Sequence, residues 1–278
     1  KIMHHRFAPI FPALFLLVGS FPLFAQETND VAVWVEKMAE CTSQPVSYDF
    51  SLKFDMEGMG MSVASSGSIL MQDKRHLRMT SQTTVKAAQM PTGEQNMKQE
   101  MIMDGATMWT VTTMDHPVNR GEKITSISRM TIELMEKVGA QATGLPGVSN
   151  STDMASQIRT MFEQFYTDCE LSISNGLVKI SGNISEEFMD SLPMGGLELS
   201  RFKAELDEKT AFPLQIAMGT DKKDFIKMSM SNPKFLDPKK IDQDLFRYTP
   251  DPGASVMDMD AMLQSMGKAE EGSSESEL

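Results

Sequence analysis

A strict alternation of apolar and polar side chains over residues 48–57 constrains the fold of this chain more than any other feature. The apolar positions are Tyr48, Phe50, Leu52, Phe54 and Met56. Successive side chains of a strand point to opposite faces of its sheet, so this pattern predicts a long antiparallel strand with one buried face.

Similar amphipathic segments recur along the chain and are separated by turn residues. Asp104-Gly105 and Asn175-Gly176 are hairpin signals, and 207–210 separates two further segments. The pattern predicts about eleven strands and few helices, which favours a mainly β, antiparallel sheet that curls strongly and is filled on its concave face.

The sequence also predicts one long loop and one final edge strand. Residues 83–98 are polar and contain Pro91 and Gly93, so they are predicted to form a long loop. Phe246–Thr249 is predicted to be a final edge strand. Pro250 and Pro252 would end it, because proline has no amide donor for the ladder.

Three helices are predicted from apolar residues at helical spacing. Asn29-Asp30 caps the first, which runs to about Cys41. The second is a short apolar helix over Ile127–Val138, followed by a Gly/Pro/Ser-rich linker over 139–150. The third begins at Asp153 and carries an apolar stripe to Phe165. These helices are the elements that could fill the concave face of the curled sheet.

Both ends of the chain are predicted to lie outside the folded domain. Residues 1–25 combine a basic start, an apolar run and a small residue at Ala25, which predicts a secretory signal peptide and export to the periplasm. No later stretch is apolar enough for stable membrane insertion. Residues 251–278 are acidic and Met-rich, and they are predicted to form a largely disordered tail.

Charge and cysteine content narrow the class of protein. The chain has 26 basic and 38 acidic residues, and without residues 1–25 the net charge is 24 − 38 = −14. Such an acidic surface disfavours nucleic acid as a partner. Cys41 and Cys169 are the only cysteines, so an oxidising compartment predicts a disulfide between them, with two separate buried thiols as the alternative.

No cluster of residues predicts catalysis or cofactor binding. Only His76 and His116 follow the signal peptide, and neither stands in a triad pattern. No His or Cys spacing is typical of a zinc site. The chain is therefore predicted to be no enzyme and to need no cofactor or metal.

Several motifs, in order over roughly two hundred residues, resemble the outer-membrane lipoprotein carrier (LolA-like) family. They are Gly67-Ser-Ile-Leu-Met71, Asp104-Gly-Ala-Thr-Met-Trp109, Asp207-Glu-Lys-Thr-Ala-Phe-Pro213 and Phe246-Arg-Tyr-Thr-Pro250. For residues 26–250 the resemblance implies an unclosed half-barrel, a helical lid and an apolar cavity that holds lipoprotein acyl chains. It also implies donor and acceptor membrane proteins as partners. The family's Lys-Arg-Pro context near the second hairpin is absent here.

The resemblance and the strand pattern together predict the site residues. Methionine suits a cavity wall because its side chain is flexible and polarizable, and the chain has 26 methionines. The predicted cavity lining is Tyr48, Phe50, Leu52, Phe54, Met56, Leu77, Met79, Met101, Met103, Trp109, Met228 and Met230. The predicted lid residues are Ile127, Met130, Leu134 and Met135. Arg75 and Arg78 are predicted to be the basic residues at the entrance.

Two alternative functions remain open at this point. The same fold serves as an extracytoplasmic sensor or protein-interaction module, with the acidic tail as the partner contact. The Met-rich runs 56–61 and 257–262 also suit Cu(I), which thioethers favour.

Overall fold

The described residues include twelve strands, two α-helices and two 3₁₀ helices, with further helical residues at 259–263. The computed structural model describes residues 30–56, 60–88, 93–116, 121–142, 162, 166–186, 199–263 and 265. Its elements are α1 (Val31–Ser43), β1 (Val46–Met56), β2 (Met61–Asp73), β3 (His76–Ala87), β4 (Glu94–Asp104), β5 (Thr107–Asp115), β6 (Lys123–Thr131), α2 (Ile132–Ala142), β7 (Tyr166–Ser174), β8 (Leu177–Ile184), β9 (Arg201–Asp207), β10 (Pro213–Gly219), β11 (Asp224–Phe235) and β12 (Val256–Asp258). Two 3₁₀ helices, Pro238–Lys240 and Gln243–Phe246, lie between β11 and β12.

The strands belong to one hydrogen-bonded sheet in the order β12-β6-β5-β4-β3-β2-β1-β11-β10-β9-β8-β7. The short β12 runs parallel to β6, whereas the hairpin neighbours are antiparallel. Strands β7 and β12 stand at opposite ends of this order, so the sheet is not closed. The mainly β, unclosed fold class predicted from the sequence is confirmed.

The chain divides into two compact units. The first consists of Lys1–Gln44 and Ala140–Ser229, and the second of Pro45–Gly139 and Met230–Leu278. Strand β11 begins in the first unit and ends in the second.

The first unit combines α1 with β7–β10. Helix α1 begins as predicted, because the Asp30 carboxylate accepts a hydrogen bond from the Ala32 amide at 2.9 Å. It buries one apolar side that includes Trp34 and Met38. The sheet contributes Phe202, which is 2% exposed and stacks on Tyr166 with ring centroids 3.9 Å apart. These aromatic contacts form the core of the unit.

The predicted disulfide is wrong, because both cysteines are free thiols. Cys41 is buried in α1, where burial raises the pKa of its thiol to about 12. Cys169 follows Asp168, a residue with φ of +51° at a register shift between β7 and β8. Its Sγ lies only 3.1 Å from the point where a side chain on Gly182 would begin. An oxidising compartment favours a disulfide only where the fold brings the two sulfur atoms together.

The second unit is an antiparallel meander of β1–β6, crossed by the chain after β11. Phe246 is 1% exposed and meets His76 edge-on, with ring centroids 5.8 Å apart. Tyr248 packs on Trp109 at 5.4 Å. The Arg129 Nε donates to Asp258 at 3.2 Å, and this contact holds the pKa of Asp258 below its usual range. These contacts hold residues 245–258, which we call the C-terminal segment, against β3–β6.

Two sequence predictions of secondary structure fail in the second unit, and a third is only partly correct. Phe246–Thr249 is not an edge strand. Asp242 caps the 3₁₀ helix that ends at Phe246 by accepting from the Asp244 amide at 3.0 Å. The sheet also continues beyond residue 250, because β12 pairs with β6.

The second failure concerns residues 83–98, which belong mostly to β3 and β4 rather than to a loop. Their polar side chains pair across strands instead of meeting only solvent. Thr84 Oγ1 donates to Asn96 Oδ1 at 2.9 Å, and Thr83 Oγ1 donates to Ser65 Oγ at 2.9 Å. Such pairs stabilise a polar hairpin that hydrophobic periodicity does not reveal.

The predicted helix over Ile127–Val138 is only partly correct. Ile127 and Met130 lie on β6, and α2 begins at Ile132. The Ile132 amide donates to the Ala106 carbonyl at 2.9 Å, and Thr131 Oγ1 accepts from the Leu134 amide at 3.4 Å. The signal peptide, most of the helix predicted from Asp153, and residues 266–278 lie outside the described residues. Among the described residues, no helix has the length and apolarity needed to cross a membrane.

Candidate functional site

The registers of β1–β6 divide their side chains into two faces of different chemistry. Tyr48, Ile69, Met79, Met101, Thr110 and Ser128 are successive register partners across the six strands and share one face. We call the face that contains them the methionine face and its opposite the charged face. The names follow from the distribution of residues described next.

Every methionine of β2–β6 lies on the methionine face. A random placement would put about half of them on each face of the sheet. The set comprises Met61, Met71, Met79, Met97, Met101, Met103, Met108, Met114 and Met130.

Every Asp, Glu, Lys and Arg of β1–β6 lies on the charged face. The set comprises Asp49, Lys53, Asp55, Asp73, Arg78, Lys86, Glu94, Lys98, Glu100, Asp104, Asp115, Lys123 and Arg129. The methionine face therefore carries no charged side chain at a paired position. Its tyrosine, Tyr48, stays neutral, since burial raises the pKa of that phenol above its ordinary value.

Exposure on the methionine face increases from β3 toward β6. Met79 is 1% exposed and Met103 6%. Met97, Met108, Met114 and Met130 are half-buried, and Ile124 on β6 is 39% exposed. The β4–β6 part of this face is therefore apolar surface that the described protein leaves partly open.

Most of the predicted lining residues share this face. The residues on it are Tyr48, Phe50, Leu52, Phe54, Leu77, Met79, Met101 and Met103. Trp109 does not, because it pairs with Ile102 on the charged face. Met228 pairs with Ile216 in the first unit, and Met230 is 3% exposed. The side chain of Met56 lies outside the described set.

Sequence analysis missed four half-buried methionines of this face and one exposed apolar residue, namely Met97, Met108, Met114, Met61 and Ile124. The signal that finds them is strand register. Met97 pairs with Met114, and Met103 pairs with Met108. The sequence predicts a loop over 83–98, and a loop assigns Met97 to no face of the sheet.

The two predicted basic residues do not form one cluster. Arg75, in the β2–β3 turn, makes a two-pronged ion pair with Glu136 of α2, at 3.1 and 3.2 Å. Arg78 lies on the charged face, where its Nε donates to Glu100 at 2.9 Å and its guanidinium reaches the Leu245 carbonyl at 3.2 Å. Arg75 thus ties α2 to the hairpin end of the sheet, while Arg78 holds the C-terminal segment.

A groove of about 760 Å³ lies against β1–β3 in the second unit. Its lining includes Ser47, Asp49, Ser68, Arg78, Thr80 and Lys234. Asn232, with φ of +55°, bends β11 at its rim and donates to Asp49 at 2.8 Å. Its Arg78 is already paired with Glu100, and its lining also includes the apolar residues Leu70, Pro233 and Leu236.

Comparison with known proteins gives matches among solved structures only. No family model and no curated protein matches the chain. LprF from Mycobacterium bovis is 15% identical, covering 74% of this chain and 95% of that chain at a TM-score of 0.38. The Mycobacterium tuberculosis lipoprotein LppX is 9% identical, covering 71% and 91% at 0.39. A LolA superfamily protein from Nitrosomonas europaea is 10% identical, covering 77% and 96% at 0.26.

Proposed function

We propose that this protein is an exported carrier that binds the acyl chains of lipoproteins, or of another amphiphile, on its methionine face. The observation that supports the proposal is the complete separation of methionines from charges on β2–β6. A chain bound there loses contact with water and meets no charged group. Each buried methylene contributes about 0.8 kcal/mol, so a long chain binds without any chemistry.

Methionine makes such a surface adaptable. Its unbranched thioether side chain changes rotamer easily and fills irregular gaps, so one face accepts chains of different length and number. Binding and release then need no covalent step. Donor and acceptor membrane proteins would load and unload the carrier, and the predicted signal peptide would place it in the periplasm.

The proposal is tested on protein purified from cells without detergent. Native mass spectrometry is expected to show adducts of lipid mass that disappear after delipidation. The delipidated protein is expected to bind a fluorescent C16 acyl probe with micromolar or better affinity. A protein that carries no lipid and binds no acyl probe would contradict the function.

We further propose that α2 is the lid, held closed by the Arg75–Glu136 pair. Glu136→Ala should raise the dissociation rate of the acyl probe about threefold, because a partly exposed ion pair contributes only modestly. The measurement is stopped-flow dissociation into excess unlabelled competitor. Glu94→Ala, which breaks the Lys86–Glu94 pair on the β3–β4 hairpin, is the matched control. Equal rates for both variants would show that the pair does not restrain the lid.

A further inference from the structure

A row of polar side chains crosses the methionine face at right angles to its strands. Ser81 pairs with Gln99, Gln99 with Thr112, and Thr112 with Ser126. We call these four residues the polar row. Methionines flank the row on both sides: Met79 and Met101 lie on one side of it, and Met97 and Met114 lie on the other.

Two oxygens of the polar row are buried without a hydrogen-bond partner in the described part of the chain. They are Ser81 Oγ and Gln99 Oε1, on directly paired residues of β3 and β4. Ser81 is 2% exposed. Leaving a buried polar atom unpaired costs free energy, so such groups are normally satisfied. The nearby Thr83–Ser65 pair, which is equally buried, is satisfied internally by its 2.9 Å hydrogen bond.

The row is open at one end. Ser81 is buried, Gln99 and Thr112 are half-buried, and Ser126 is exposed. A ligand that enters from β6 therefore meets polar side chains before it reaches the two unpaired oxygens. The flexible methionines on either side can give way to its chain.

We infer that the polar row binds the neutral linkage group of the lipid and selects an N-acyl amide. This inference rests on the proposed carrier function. The Ser81 hydroxyl can donate to a carbonyl, and Gln99 Oε1 can only accept. A secondary amide offers both a carbonyl acceptor and an N–H donor. An ester offers no donor, and a free carboxylate would bring a charge onto a face that holds none.

Three ligands of equal chain length test this selection. N-methylhexadecanamide and methyl hexadecanoate differ only by N–H in place of O, and hexadecanoate adds the charge. Displacement of the fluorescent acyl probe should rank amide before ester before carboxylate. We expect about a tenfold preference for the amide over the ester, because the ester leaves Gln99 Oε1 unpaired.

Substitutions separate a binding role from a structural one. The double variant Ser81→Ala, Gln99→Met should lose the amide preference, so that both neutral ligands bind equally. Its melting temperature should hold or rise, since two unpaired buried oxygens are removed. Thr83→Val is the control. This substitution removes the hydrogen bond between Thr83 and Ser65 on the same face. It should therefore lower the melting temperature and keep the amide preference.

The outcomes distinguish this inference from the carrier function. If the wild-type protein binds all three ligands equally well, or if the double variant keeps the preference, the inference is overturned and the carrier function stands. A double variant that loses as much stability as Thr83→Val would also overturn it, because the two oxygens would then have partners in the protein. If no ligand displaces the probe and the probe itself does not bind, the carrier function fails as well.

Discussion

Replacing Met101 by glutamate is expected to abolish acyl-chain binding while the protein stays folded. Met101 is half-buried at the middle of the methionine face, beside Met79 and Thr110 in register. A carboxylate there must lose its hydration when an acyl chain covers it, and no cation shares the face to compensate. We expect at least about a hundredfold weaker binding of the fluorescent probe.

The control for Met101→Glu adds the same charge on the other side of the sheet. Gln82 on β3 is exposed and belongs to the charged face, so Gln82→Glu should leave the affinity unchanged. Circular dichroism and melting temperature verify that both variants fold. Equal affinity in both would show that acyl chains bind elsewhere. Phe50 and Phe54 are less suitable positions, because they are core residues, 4% and 6% exposed, where a buried carboxylate would also destabilise the fold.

Replacing Phe246 by alanine is expected to destabilise the second unit by about 3–5 kcal/mol, the usual cost of removing a fully buried aromatic ring. Phe246 is 1% exposed and packs against His76. Its removal leaves a cavity beneath the segment that continues to Tyr248 and β12. The free energy of unfolding is measured by urea denaturation followed through intrinsic fluorescence.

Leu245 provides the matched control, because it precedes Phe246 in the same 3₁₀ helix and is 38% exposed. Leu245→Ala should cost less than about 1 kcal/mol, since an exposed side chain loses little on truncation. If the two variants lose the same free energy, Phe246 does not anchor the C-terminal segment. This pair of variants also tests whether Phe246 is a buried residue at the end of a 3₁₀ helix rather than part of an edge strand.

Local sequence signals predicted the elements whose stabilising groups are close in the chain. Asp30 caps α1 with its own carboxylate, two residues from the amide it binds. Asn175 and Gly176 adopt the positive φ values of +55° and +76° that a tight hairpin requires. The alternation of β1 reflects a single buried face, which every second side chain reveals.

The failures have a common cause in contacts between distant residues. Cross-strand hydrogen bonds turn the polar stretch around Thr84 and Asn96 into strands, and pairing with β5 and β12 extends β6 over residues predicted to be helical. The contact between Phe246 and His76 joins two residues that are far apart in the sequence. No periodicity within a window of ten residues contains this information.

The amino-acid sequence is enough to predict a sheet of amphipathic strands, the helix α1 and a chain rich in methionine. Tertiary structure alone decided which methionines share a face, because a shift of register by one residue moves a side chain to the opposite face. It also decided that Ser81 and Gln99 stand opposite one another, and that Cys41 and Cys169 remain apart as free thiols. The composition shows which side chains are available to contact a ligand, but only the pairing of strands brings those side chains onto one surface.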